Sequence, residues 1–192
     1  MPGGLGQIIA DTLHSRFYLF AGSPMDLFDA IDTRSSAARL TDPGPSSAEL
    51  DRLLRAGARA PDHGRIRPWR FIALNGPVRE SFVRAAAAAK RARVPTMTEE
   101  QVAAERAKIA RSPTIVVAAC VVNRANSKVP EIEQVIAVGA AVENVVLAAH
   151  ALGFGVMWKT GAAAYDSNVK AVLGLRPEDH IVAILHLGTR VK

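Results

Sequence analysis

The 192-residue chain has a single cysteine, Cys120, so no internal disulfide can form. It sits in the apolar run 114–122, where a buried thiol fits better than a nucleophile. Only five histidines are present, and no C-x-x-C or H-E-x-x-H spacing joins them to other ligands, so no metal site is expected. Aromatics are few, at 5%. No apolar run approaches the roughly 20 residues that span a bilayer, and no basic segment precedes a clean apolar stretch as in a signal peptide. The expectation is a soluble, cytoplasmic protein that does not engage a membrane.

Charge of one sign is not concentrated either. The net charge is +6, which raises the question of a nucleic-acid partner. Yet Arg79, Arg84, Lys90, Arg91, Arg93, Arg106, Lys108 and Arg111 are interleaved with Glu80, Glu99, Glu100 and Glu105. That mixture describes solvated helix faces, and no nucleic-acid-binding motif accompanies it. No nucleic acid is expected as partner. A length of 192 residues and a 49% hydrophobic content suit one domain with a sizeable core.

What is present is three clusters of anion-binding groups. Residues 56–71 hold Arg59, His63, Arg65 and Arg67 in a loop bounded by Pro61 and Pro68, which restrict its backbone. A phosphate or a flavin suits such a loop, and so does the plainer reading of a solvated basic turn with Trp69 and Phe71 as core. Upstream, Arg34, Ser35 and Ser36 follow an amphipathic run and supply a cation and two hydroxyls. Downstream, an apolar strand ends in Trp158, Lys159, Thr160 and Gly161. Each triplet alone is weak. Arg34 read by itself fits a surface charge, and Arg59 a cation at a helix C-terminus.

Together these residues resemble the nitroreductase family of FMN-dependent oxidoreductases, closest to its small single-domain NAD(P)H nitroreductase branch. The likeness is carried by Arg34-Ser35-Ser36 with Ala38-Arg39-Leu40, by Leu54-Arg55-Ala56-Gly57 running into Arg59-Ala60-Pro61-Asp62-His63 and Pro68-Trp69-Arg70-Phe71, by Lys128-Val129-Pro130 and Glu133-Gln134, by Trp158-Lys159-Thr160-Gly161-Ala162, and by Leu187-Gly188-Thr189. It spans residues 25–189. Residues 25–192 are therefore the expected FMN-binding domain, and residues 1–24 an extension that is poorly ordered or packs on a partner subunit.

The resemblance implies an α+β fold with a mostly antiparallel sheet flanked by helices, in an intertwined homodimer. It implies FMN as cofactor, with Arg34, Ser35 and Ser36 at the phosphate, Arg59 and His63 toward the flavin and ribityl chain, and Trp158, Lys159 and Thr160 along the ring edge. NAD(P)H and a nitroaromatic, quinone or similar flat acceptor would then use the same face in turn, in a ping-pong mechanism that asks no catalytic acid of the side chains. The same fold and flavin also serve dehalogenation, enoate reduction or flavin fragmentation, and a non-enzymatic protein holding a flavin or another phosphorylated ligand is a third class. Two departures stand out. Ser35 replaces a second arginine common in the branch, and Lys159-Thr160 replaces Arg-Ser, losing the planar guanidinium fork. Arg190 and Lys192 lie just past the last matching residues and are left outside the expected site.

Periodicity predicts helices over 27–33, over 47–58 with Ser47 as N-cap, over 78–93, and from a Thr98/Gln101 capping box to about residue 110. A long helix over 131–152 is closed by Gly153, and a short one begins at Asp166 or Ser167 and stops at Gly174. Strands are expected over 71–74, 114–122, 156–158 and 181–187. Val135, Val138, Val142, Val145 and Val146 give the long helix an apolar stripe, and Gly139, Ala140 and Ala141 allow a close backbone approach. Such a helix belongs either at the heart of a dimer or against its own sheet only. His150, His180 and His186 read as structural.

Overall fold

The computed structural model describes residues 25–126 and 128–191, so the expectations for residues 1–24 and for Lys192 lie outside the described residues. Strand β3 (Thr114–Cys120) is central, as its continuous apolar content requires: every residue from Ile115 to Cys120 is buried. It pairs antiparallel with β2 (Trp69–Ala73) on one side and β5 (His180–Arg190) on the other. Strand β5 also pairs antiparallel with β4 (Gly155–Lys159) and, at its C-terminal end, with the two-residue β1 (Leu40–Thr41). All pairings are antiparallel, which is the expected α+β architecture.

The alternation of a strand divides the core in two. Val116, Ala118, Leu185 and Leu187 turn to one face and meet Val138, Val142 and Val145 of α5 (Glu131–Ala151) and Leu53 of α2 (Ser47–Gly57). Ile115, Val117 and Ile184 turn to the other, under Phe82 and Ala86 of α3 (Gly76–Arg93). Helix α4 (Glu99–Ala110) packs on α3, and α6 (Ser167–Val172) follows a short 3-10 turn at Ala162–Tyr165 on this second face. The remaining helix, α1 (Leu27–Thr33), lies against α5.

Several boundaries differ from the sequence reading for identifiable reasons. Helix α2 is capped by Ser46, not Ser47, because Ser46 stands three residues before Glu49. Its hydroxyl accepts from the Glu49 N–H at 3.3 Å while the Glu49 carboxylate accepts from the Ser46 N–H at 2.8 Å. Ser47 has Leu50 at that spacing and cannot close the box. The Thr98/Gln101 box forms as expected. Asp166 takes the cap of α6, its carboxylate accepting from the N–H groups of Asn168 and Val169. Strand β1 was not anticipated.

Helix α5 corrects a broader expectation. Over its 21 residues it is long and apolar enough to cross a bilayer by length and composition, with a mean hydropathy of 1.6 over its most apolar window. The sequence reading missed this because scattered Glu and Gln interrupt the run without lowering its average. In the fold one side of α5 enters the core, while Ile132 and Ile136 on the other are each 63% exposed. A methyl group added at Gly139 would touch nothing within 4 Å. On neighbouring α1, Leu27, Phe28 and Ile31 are exposed too.

Helices α2 and α5 approach through Gly57. A Cβ there would sit 2.7 Å from Val145 Cγ2 and 2.8 Å from the Phe71 ring, so α2, α5 and β2 close together only around a hydrogen. Gly57→Ala improves helix propensity, by about 0.5–1 kcal/mol, but overpacks this junction at a cost of about 1–3 kcal/mol. We expect a net loss of stability, read as a lower urea midpoint at unchanged m-value; an unchanged midpoint would show that the junction is slack.

Candidate functional site

Helix α1 ends where two segments converge. The N–H of Arg34 caps it onto Ala30 O at 3.1 Å, and the chain then leaves in extended conformation. The Thr33 hydroxyl and His150 Nε2, 2.8 Å apart, tie this end to the end of α5. Beyond it the Ala37 N–H donates to Val156 O at 2.8 Å, laying residues 34–37 along the outer edge of β4. Gly155 permits that approach, since a Cβ there would stand 2.7 Å from Leu40 and 2.9 Å from Ala37.

This convergence collects positive charge. The Arg190 guanidinium, projected from the end of β5, donates to the Ser35 hydroxyl at 2.9 Å and to the Ser35 carbonyl. Arg34 Nε lies 3.9 Å from Glu143 Oε1, a loose pair at a half-exposed position. Burial first, then the charges of Arg190 and Arg34, hold the His150 imidazole below its ordinary pKa. Two guanidinium groups and the hydroxyl of Ser35 therefore share one corner, with Ser36 exposed beside it. Such a corner suits a phosphate, which takes charge-assisted bonds from guanidinium forks.

Trp158 and Lys159 follow on β4, and the strand separates them. Because Val156 O points away from β5 toward Ala37, the main-chain groups of Trp158, two residues on, also point to that open edge. The Trp158 side chain shares the α5 face with Val156 and Leu185. It is 40% exposed, and its indole N–H donates to Val182 O at 3.2 Å. Val182 is the residue that a bulge between β3 and β5 leaves out of the ladder. Lys159 pairs with Ile184, and its side chain lines a cavity on the opposite face, beside Lys108 and His186. Burial and the charges of Lys108 and Arg111 lower its pKa. Its ammonium is thus not beside Trp158, as a role along the same ring edge would ask. Thr160 is exposed at the strand end.

The third cluster lies elsewhere. His63 starts a 3-10 turn (His63–Arg65), and its Nδ1 is 2.6 Å from Glu133 Oε2 in the first turn of α5. Glu143 and His150, beside Arg34, lie in the other half of the same helix. The ten residues from Glu133 to Glu143 span about 15 Å at 1.5 Å per residue. Arg59 is exposed just past the end of α2. Arg65 and Arg67 adopt left-handed conformations, at φ +54° and +47°, with the Arg67 N–H held by the Asp62 carboxylate at 2.7 Å. One chain therefore joins Arg34, Ser35, Ser36 and the main chain of Trp158, and holds His63 at the other half of α5. Sequence reasoning set Arg190 aside and missed Glu133 as partner of His63.

Residues 31–189 match the model of the nitroreductase family. The chain belongs to that family. It is 38% identical over 169 residues to the "Putative NAD(P)H nitroreductase YdjA" of Escherichia coli, covering 86% of this chain and 88% of that protein. It is 31% identical over 166 residues to a "Putative NAD(P)H nitroreductase" of Haemophilus influenzae, covering 86% and 89%. Among solved structures, a nitroreductase-like family protein from Bacillus cereus superposes with a TM-score of 0.72 at 24% identity, over 95% of this chain and 90% of that one. A "putative nitroreductase in complex with fmn" from Desulfovibrio desulfuricans superposes with a TM-score of 0.66 at 24% identity, over 86% and 87%. The nitroreductase fold and the observed antiparallel sheet agree.

Within this family member one buried group gives a pH-dependent stability. His186 is 4% exposed, its Nδ1 2.8 Å from the Ser112 hydroxyl. Burial, reinforced by Lys159, Arg79 and Arg111, pushes its pKa from an ordinary 6.5 down to about 4. Between these values the unfolded chain holds a proton that the folded one refuses, so stability falls as pH falls from 6.5 toward 4, by about 3 kcal/mol in all. Replacing His186 with Gln, neutral throughout, should flatten urea-unfolding stability across that window. An equally steep loss in H186Q would assign it to other groups.

Proposed function

We propose that this chain is an FMN-dependent NAD(P)H oxidoreductase that reduces nitroaromatics, quinones or similar flat acceptors, working as a cytoplasmic homodimer. The observation that carries the reading is the Arg34–Ser35–Arg190 corner placed against the open edge of β4. The residues fit the cofactor in kind: guanidinium and hydroxyl donors for a phosphate, and, two residues past Val156, an unpaired main-chain edge beside an exposed indole for a flat ring. When bound, FMN would supply the redox chemistry, accepting hydride from the nicotinamide and passing electrons to the acceptor.

This chain's own residues do the holding. Arg34 and Arg190 would fix the phosphate, with Ser35 and Ser36 as hydroxyl donors. Trp158 and Thr160 would border the ring, and Lys159 would contribute its place in β4 while its ammonium faces the other way. His63, held at the other half of α5 in one chain, would together with Arg59 complete the site of a second copy. The exposed Leu27, Phe28 and Ile31 on α1 and Ile132 and Ile136 on α5 offer an apolar face for that copy. Donor and acceptor would alternate on one exposed face of the ring, which is the ping-pong scheme.

Arg34→Ala should weaken FMN binding about ten- to a hundredfold in a fluorescence titration, through loss of a charge-assisted contact, and Arg34→Lys should recover part of it. An unchanged dissociation constant would remove residues 34–36 from the phosphate site. Ile136→Glu should yield a colourless monomer by light scattering and flavin absorbance. A flavin-loaded monomer would refute the shared site.

A further inference from the structure

On the α3 face of β4, opposite the Trp158 indole, lies a cavity of about 400 Å³, within the range of small-molecule sites. Its lining divides by chemistry. Phe82, Ile109 and Ile184 make an apolar surface, and Lys108, Lys159 and His186 supply polar heads. A third cation on the wall, Lys90, is neutralised by Glu105 at 2.6 Å. Among the described residues, neither Lys108 nor Lys159 has a carboxylate within ion-pair distance. The cavity therefore holds two unneutralised cations, one of them half-buried.

His186 makes this more than a charged dent. The residue is 96% withdrawn from solvent and spends Nδ1 on Ser112, and its Nε2 has no partner among the described residues. No fully buried side-chain nitrogen or oxygen there lacks a partner, so Nε2 is the atom that retains access, and the surface it reaches is this cavity. Lys159 and His186 share a face of the β4–β5 pair, diagonal to each other in the register Met157↔His186 and Lys159↔Ile184.

We propose that this cavity is a second ligand site, separate from the flavin reading, and that it takes a small flat carboxylate. The apolar body would lie against Phe82, Ile109 and Ile184. The carboxylate would sit between the Lys108 and Lys159 ammonium groups and accept from His186 Nε2–H, the tautomer in which the Ser112 hydroxyl donates to Nδ1. A predominantly apolar lining with few cations favours a monoanion carrying a ring over a bare phosphate.

The test is an NMR titration of the full chain with benzoate, following the histidine side-chain nitrogens, with benzamide and inorganic phosphate as comparators. Benzoate should shift the His186 resonances saturably, with affinity about tenfold above benzamide, and Lys108→Gln should weaken it by a similar factor. Lys108 is exposed on α4, so this variant keeps the fold. His186 signals that ignore benzoate, or that respond equally to benzamide, to phosphate or in K108Q, would overturn the proposal. A change in flavin absorbance alone, with His186 unmoved, reports binding at the other face and equally overturns it.

Discussion

Strand β5 is the member on which the other strands depend. It pairs directly with β3, β4 and β1, and only β2 reaches it indirectly, through β3. Eleven residues of one strand thus set the register of the Arg34 corner, of Trp158 and of the cavity behind them. Alternation then leaves little freedom. Leu185 and Leu187 must face α5 if Ile184 and His186 face α3, and a slip of one residue would turn the imidazole into the leucine core under α5 and a leucine toward α3. The neutral state of His186 follows, since a charged imidazole among Phe82, Ile184 and three cations is more expensive than one hydrogen bond from Ser112 can offset.

Helix α5 imposes the second constraint. Its two halves are met by different parts of the chain, His63 at Glu133 and the Arg34 corner at Glu143 and His150. Because a helix is a rigid spacer, His63 stays about 15 Å along α5 from the Arg34 corner in one chain. A site that needs both requires a second copy, and the outward face of α5 and α1 is apolar at the positions where such a copy would rest.

Much of this was legible in the sequence. Helices were found where the 3.6-residue period was strong and the ends carried capping chemistry, and the buried strands where β-branched residues ran together. The two-residue β1 was not, because Asp42 and Pro43 cut its pattern short and its pairing comes only from the far end of β5. The shift of a cap from Ser47 to Ser46 turned on a spacing to Glu49 that the sequence did contain. Most instructive is the pair Trp158 and Lys159. Grouped by adjacency they resembled one wall of a site; as strand neighbours they had to part across the sheet, and strand periodicity alone carried that information. The Arg190–Ser35 contact joins residues 155 positions apart, and no local pattern encodes it.

The outcome is a strand with cations gathered at two places: Arg34 and Arg190 by the start of β4, Lys108 and Lys159 around the cavity near its end. Exposed charges are screened over about 8 Å at physiological salt, but a half-buried ammonium is screened much less. Burial first, then the charges of Lys108 and Arg111, hold the Lys159 ammonium below its ordinary pKa. The net charge of +6, uninformative when spread over helix faces, acquires a local meaning along β4. An anion at either place would relieve repulsion between like charges that the folded chain otherwise carries, as the closeness of Lys108 to Lys159 illustrates.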